Sequence, residues 1–81
     1  MHGVIRSEAL IVANRITGTV LRFDGSKGYG YIKAEKGLEV FVHYTAIQGN
    51  GLKTLAEGEK VEFILEESYR GPQAQEVVRL A

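Results

Sequence analysis

The chain has no cysteine and no tryptophan, one proline, two histidines and no charge excess, its ten Lys and Arg being matched by ten Asp and Glu. Each scarcity closes off a class of function. Without cysteine there is no disulfide and no thiolate metal site, which is compatible with a reducing cytoplasm. His2 and His43 alone are too few for a metal cluster, so no metal and no cofactor is expected. The longest apolar run, Ala9 to Ala13, falls short of the roughly 20 residues of a membrane span and of the roughly 7 to 15 of a signal-peptide core. A cytoplasmic location with no membrane partner is the resulting expectation. Zero net charge removes the simplest argument for a polyanion partner, so any nucleic-acid reading must rest on where individual residues stand.

What is present reads as one small β domain. A chain of 81 residues holds a single core and buries only about 60% of the surface that it exposes when unfolded. With 44% hydrophobic and 25% charged residues it has the composition of a folded protein rather than a disordered one. Glycine and short polar groups divide it into five segments of strand length: Ile16 to Asp24, Tyr29 to Ala34, Glu39 to His43, Lys60 to Glu67 and Gln73 to Arg79. Asp24-Gly25 marks the first hairpin and Ser68-Tyr69-Arg70-Gly71-Pro72 the last. The stretch Tyr44 to Glu59 is a long crossing, with Gln48-Gly49-Asn50-Gly51 as loop. Three meandering strands, a crossing and a hairpin predict an all-β, five-stranded antiparallel Greek-key barrel of OB type, whose closure removes free sheet edges. Residues 1–15 do not share the pattern. They form an amino-terminal extension for which a capped helical turn, an extra strand and a partly ordered tail all stay open.

Period-2 alternation sends Tyr29, Tyr31 and Lys33 to one face of the second strand and Gly30, Ile32 and Ala34 to the other. The third strand sends Phe41 and His43 one way, Val40 and Val42 the other. Paired side by side, the two strands present a platform of Tyr29, Tyr31, Phe41 and His43, flanked by Lys27 and Lys33. Rings in rows on an exposed sheet suit a flat ligand, and every nucleic-acid base has a face to stack. Any one of these rings alone is better explained by the strand propensity of Tyr and Phe; the set in register is what points to bases. Gly28-Tyr29-Gly30 lacks the third glycine, the following helix and the Lys-Ser/Thr pair of a dinucleotide or phosphate loop. His43 has no partner acid within reach for general-base work, since Glu39 lies about 13 Å along the same strand. No catalytic residue and no small-molecule substrate are expected.

These residues resemble a family. Lys27 to Ile32 resembles the first ribonucleoprotein motif and Val40 to Tyr44 the second, in the spacing of bacterial cold-shock proteins. Ala46 to Gly51, Lys53-Thr54-Leu55, Glu57-Gly58 and Arg70 to Ala74 continue the match, which covers about residues 16 to 80. The resemblance implies a cold-shock domain over residues 16–81, binding single-stranded RNA and DNA with loose sequence preference and acting as an RNA chaperone. It places stacking residues at Phe23, Tyr29, Tyr31, Phe41, His43 and Tyr44, and basic or polar contacts at Lys27, Gln48, Lys53 and Arg70. Four positions depart from it. Leu21-Arg22-Phe23-Asp24 stands where the family usually has Lys-Trp-Phe-Asn, and Leu52 stands for a loop aromatic. Arg22 is a partial substitute, because a guanidinium stacks on a base and pairs with phosphate. Asp24 only accepts hydrogen bonds and repels phosphate, so weaker binding than in a typical member is expected. The competing reading is an OB-type protein-interaction module with reduced nucleic-acid affinity. A monomer or a weak homodimer fits either.

Overall fold

The computed structural model describes residues 15–49, 51 and 53–80. The extension over residues 1–15 lies outside the described residues except for Arg15, as do Asn50 and Leu52 of the loop. Five strands follow in order: β1 (Arg15–Asp24), β2 (Tyr29–Ala34), β3 (Glu39–His43), β4 (Lys60–Ser68) and β5 (Gly71–Arg79). Short 3₁₀ turns at Glu35–Gly37 and Tyr44–Ala46 bracket β3. No helix among the described residues is long and apolar enough to cross a membrane.

The strands close into a barrel in the order β1-β2-β3-β5-β4. The expected five-stranded OB-type barrel is therefore present, with one seam of different polarity. β1 pairs antiparallel with β2 and β4, β2 with β3, and β4 with β5. β3 and β5 run parallel, with Phe41 opposite Gln73, and a parallel bridge of Ile47 to Val77 prolongs that seam. Alternation reports which face a side chain takes, not which way its neighbour runs, so this polarity left no mark on the residue pattern.

The core is wholly apolar. Val20, Ile32, Val40, Val42, Ile47, Val61, Phe63 and Val77 are sealed inside, and no polar or charged side chain among the described residues is buried with them. Each such side chain contributes roughly 1.5–3 kcal/mol of transfer free energy, against the chain entropy that opposes folding. The polar ties lie on the rim. Arg15 Nε pairs with Glu62 Oε1 at 3.0 Å while the same guanidinium donates to the Glu76 carbonyl at 3.1 Å, joining β1, β4 and β5. Arg79 Nε pairs with Glu59 at 3.0 Å.

Candidate nucleic-acid interface

On the outer wall, the β2–β3 register sets Tyr29 opposite His43, Tyr31 opposite Phe41 and Lys33 opposite Glu39. The inward residues of the same strands, Ile32, Val40 and Val42, are fully buried. Their burial leaves the rings no choice of face. Phe41 is the hub of the row, its ring centre 5.6 Å from Tyr29 at 33° and 5.8 Å from Tyr31 at 73°. His43 and Tyr44 form a second pair 4.7 Å apart at 36°. Tyr29 is 36% and Tyr44 44% exposed, so ring faces meet solvent instead of packing inside. His43, exposed, is oriented by its own turn: Nδ1 lies 2.9 Å from Thr45 Oγ1 and accepts from the Thr45 amide at 3.4 Å.

A one-residue bulge in β1 adds a cation to this wall. Val20 pairs with Ile32, but the next partners are Arg22 with Tyr31 and Phe23 with Gly30, so Leu21 is the extra residue. In unbroken register Arg22 would point inward and Phe23 outward; the bulge exchanges them and spares the core a guanidinium. Arg22 Cζ then lies 4.8 Å from the centre of the Tyr31 ring, a cation–π distance. Phe23 packs against the core cluster and also borders a cleft with Arg22, Asp24, Lys27, Tyr29 and Tyr31. Gly30 permits the approach, because a Cβ there would stand 2.1 Å from the Arg22 carbonyl oxygen and 2.6 Å from Phe23 Cα. Gly28, at φ +82°, lies beneath Tyr44, whose Cδ2 would be 2.7 Å from an added Cβ. Both glycines thus admit neighbours within the protein.

Two candidate residues, Asp24 and the expected contact Lys53, are engaged within the chain. Asp24 Oδ1 accepts from Ser26 Oγ at 2.7 Å, Ser26 N at 3.0 Å and Lys27 N at 3.2 Å, closing the β1–β2 turn. The Ser26 hydroxyl, and next the Lys27 amide, hold its carboxyl below the ordinary aspartate value. Lys53 Nζ donates to the carbonyls of Ile47 at 2.7 Å and Gly49 at 3.0 Å, so it fastens the loop after β3. Lys27 is exposed and, with Tyr44 and Lys53, edges a shallow cleft over that turn. Gln48 is exposed, with its backbone amide held by the Val77 carbonyl at 2.9 Å.

Arg70 sits in the two-residue turn between β4 and β5. It borders one cleft with Tyr31, Glu39, Phe41 and Gln73, and another with Phe41, His43 and Thr45. The parallel β3–β5 seam carries it there. Gln73 and Thr45, which the sequence reading passed over, join the wall through that same seam and through the His43 turn. Only knowledge of the strand order could have revealed Gln73. For Thr45 the signal was its place two residues after a histidine at a strand end.

The closed five-stranded barrel is of the OB architecture, which includes oligonucleotide- and oligosaccharide-binding proteins. The model of the family described as the 'Cold-shock' DNA-binding domain matches residues 16–80, and the chain belongs to that family. It is 55% identical over 64 residues to the cold shock-like protein CspLB of Listeria monocytogenes, covering 79% of this chain and 97% of that protein. To the cold shock protein CspB of Bacillus caldolyticus it is 56% identical over 63 residues, 78% of this chain and 96% of that one. Among solved structures, drosophila Unr CSD456 shares the fold with a TM-score of 0.70 at 22% identity, over 91% of this chain and 31% of that one.

Proposed function

We propose that this protein binds single-stranded RNA and DNA by stacking unpaired bases on Tyr29, Tyr31, Phe41, His43 and Tyr44, and that it acts in the cytoplasm as an RNA chaperone. The observation that carries this reading is the Tyr29–Phe41–Tyr31 row, three rings joined through Phe41 on a wall whose opposite side is sealed core. Family membership and the family's description as a DNA-binding domain support it. Each stacked base is worth about 1–3 kcal/mol, so three or four stacks are sufficient for roughly micromolar affinity without a charge excess. Arg22, Lys27 and Arg70 meet the phosphates that run past the rings, and Phe23 walls the cleft below Arg22. Gln48 offers an amide at the far margin, while Lys53 and Asp24 hold the loops that frame the wall. The chaperone action needs neither ATP nor covalent chemistry. A protein that binds only unpaired strands favours them over duplex by mass action.

The test is tyrosine fluorescence during titration with a short thymidine or uridine oligomer, a signal free of tryptophan background in this chain. Saturable quenching is expected. Silence towards both oligomers, with a change on adding a protein partner or on self-association, would favour the interaction-module reading.

A further inference from the structure

Beyond the rings, the outer face of the barrel carries a second feature that stacking does not use. A cleft of about 660 Å³ opens between β1, the start of β4 and the turn after β2, lined by Thr17, Thr19, Lys33, Lys36 and Lys60 with Glu35 at its edge. Three lysines and one carboxylate thus line it in a protein with no net charge, with Glu39 outside the lining but opposite Lys33 on β3. None of the three lysines lies in an ion pair among the described residues, whose ion pairs join Arg15 to Glu62 and Glu76, and Arg79 to Glu59. Lys60 Nζ donates to Thr19 Oγ1 at 3.0 Å, a neutral partner that orients the charge without cancelling it.

The cleft is in line with the ring row. Tyr29, Tyr31 and Lys33 are successive outward residues of β2, about 6.7 Å apart per step. At Lys33 the register continues across the sheet, with Thr19 opposite Lys33 on β1 and Lys60 opposite Thr19 on β4. A strand leaving Tyr31 therefore meets cation, hydroxyl and cation in one row over three strands, with Lys36 on the rim. No ring lines this cleft, so it offers phosphate contacts and hydroxyl donors but no base stacking.

We infer that this cleft is a phosphodiester-binding subsite that takes the sugar–phosphate backbone of the same single strand after its bases leave the rings. The inference rests on the stacking reading of the wall. It makes the footprint longer than the platform and gives the added length no sequence preference. Each phosphate contact to a single strand steepens log K against log salt by about 0.7. Three lysine contacts thus add a slope of about two, roughly a 20-fold larger loss of affinity between 50 and 200 mM salt.

The experiment compares five- and ten-nucleotide thymidine oligomers across that salt range, using the full chain and its Lys36→Gln/Lys60→Gln variant, which keeps Lys33 beside the platform, with a thermal melt to show that the exposed substitutions leave the fold intact. The wild-type protein should show the steeper slope with the longer oligomer. The variant should lose about two-thirds of that extra slope, and several-fold affinity for the longer oligomer at low salt, with the shorter one unchanged. Arginine at the same two positions should keep both. Equal effects on the two oligomers, or none on either, would overturn the subsite while leaving the stacking wall standing. Failure of the wild-type protein to bind either oligomer would overturn both.

Discussion

Replacing Phe41 by alanine is the sharpest perturbation of the wall, because that ring touches both tyrosines of β2, at 5.6 and 5.8 Å. One lost base stack weakens binding by about 1–3 kcal/mol, or roughly 5- to 150-fold. The upper half of that range is expected, since Tyr29 and Tyr31 lose the neighbour that holds them. The two ring pairs are worth about 0.5–1.5 kcal/mol each to the fold. The melting temperature of so small a domain should accordingly fall by some 4–8 °C per kcal/mol. Oligomer titration by calorimetry at fixed salt, well below that melting point, separates the two effects. Tyr69 provides the comparison, being 94% exposed at the tip of the β4–β5 turn. Tyr69→Ala should change affinity less than two-fold. If Phe41→Ala binds within two-fold of wild type, or Tyr69→Ala matches its loss, generic exposed aromatics rather than the contiguous row explain binding and the reasoning fails.

Gly28→Ala forces an L residue to φ +82° and sets its Cβ 2.7 Å from Tyr44 Cδ2; a stability loss of about 1–3 kcal/mol, seen by denaturant titration, should come with a displaced Tyr44 ring signal. Arg22→Trp, at an exposed position beside Tyr31, should tighten binding to a pyrimidine-rich strand with little change in melting temperature, and no gain would place β1 outside the ligand path. For Asp24, the lowered folded-state pKa means that its stabilising contribution is present above the unfolded value of about 3.9. That contribution is lost as pH falls through the lower folded value. Side-chain NMR should give a midpoint below the ordinary aspartate range, and Asp24→Ala should remove this part of the acid dependence of stability.

β2 and β3 begin and end where alternation set them, because each has one face sealed in the core and a slip of one residue would bury a tyrosine or a lysine. β4 and β5 run further towards each other than turn chemistry indicated. Tyr69 and Arg70 alone make the turn, and Pro72 pairs opposite Glu67 within the ladder. β1 starts one residue early, at Arg15, whose partners Glu62 and Glu76 lie about fifty and sixty positions away and leave no local signature. The ring row was legible for the same reason as its strands. The Leu21 bulge was not, since Leu21-Arg22-Phe23 reads equally well in either phase until Gly30 is known to face it. The commitments of Asp24 and Lys53 to their own loops were hidden too. A residue type announces what it can bind, not whether the backbone has already claimed it.

Because the buried side chains of the barrel are all apolar among the described residues, the outward positions vary almost as a separate text. An outer letter such as Arg22 can be rewritten without disturbing the inner message that holds the barrel shut. Exterior positions without a ring partner can therefore be exchanged one at a time with little cost to the fold, whereas Phe41 serves both the surface and the barrel's stability.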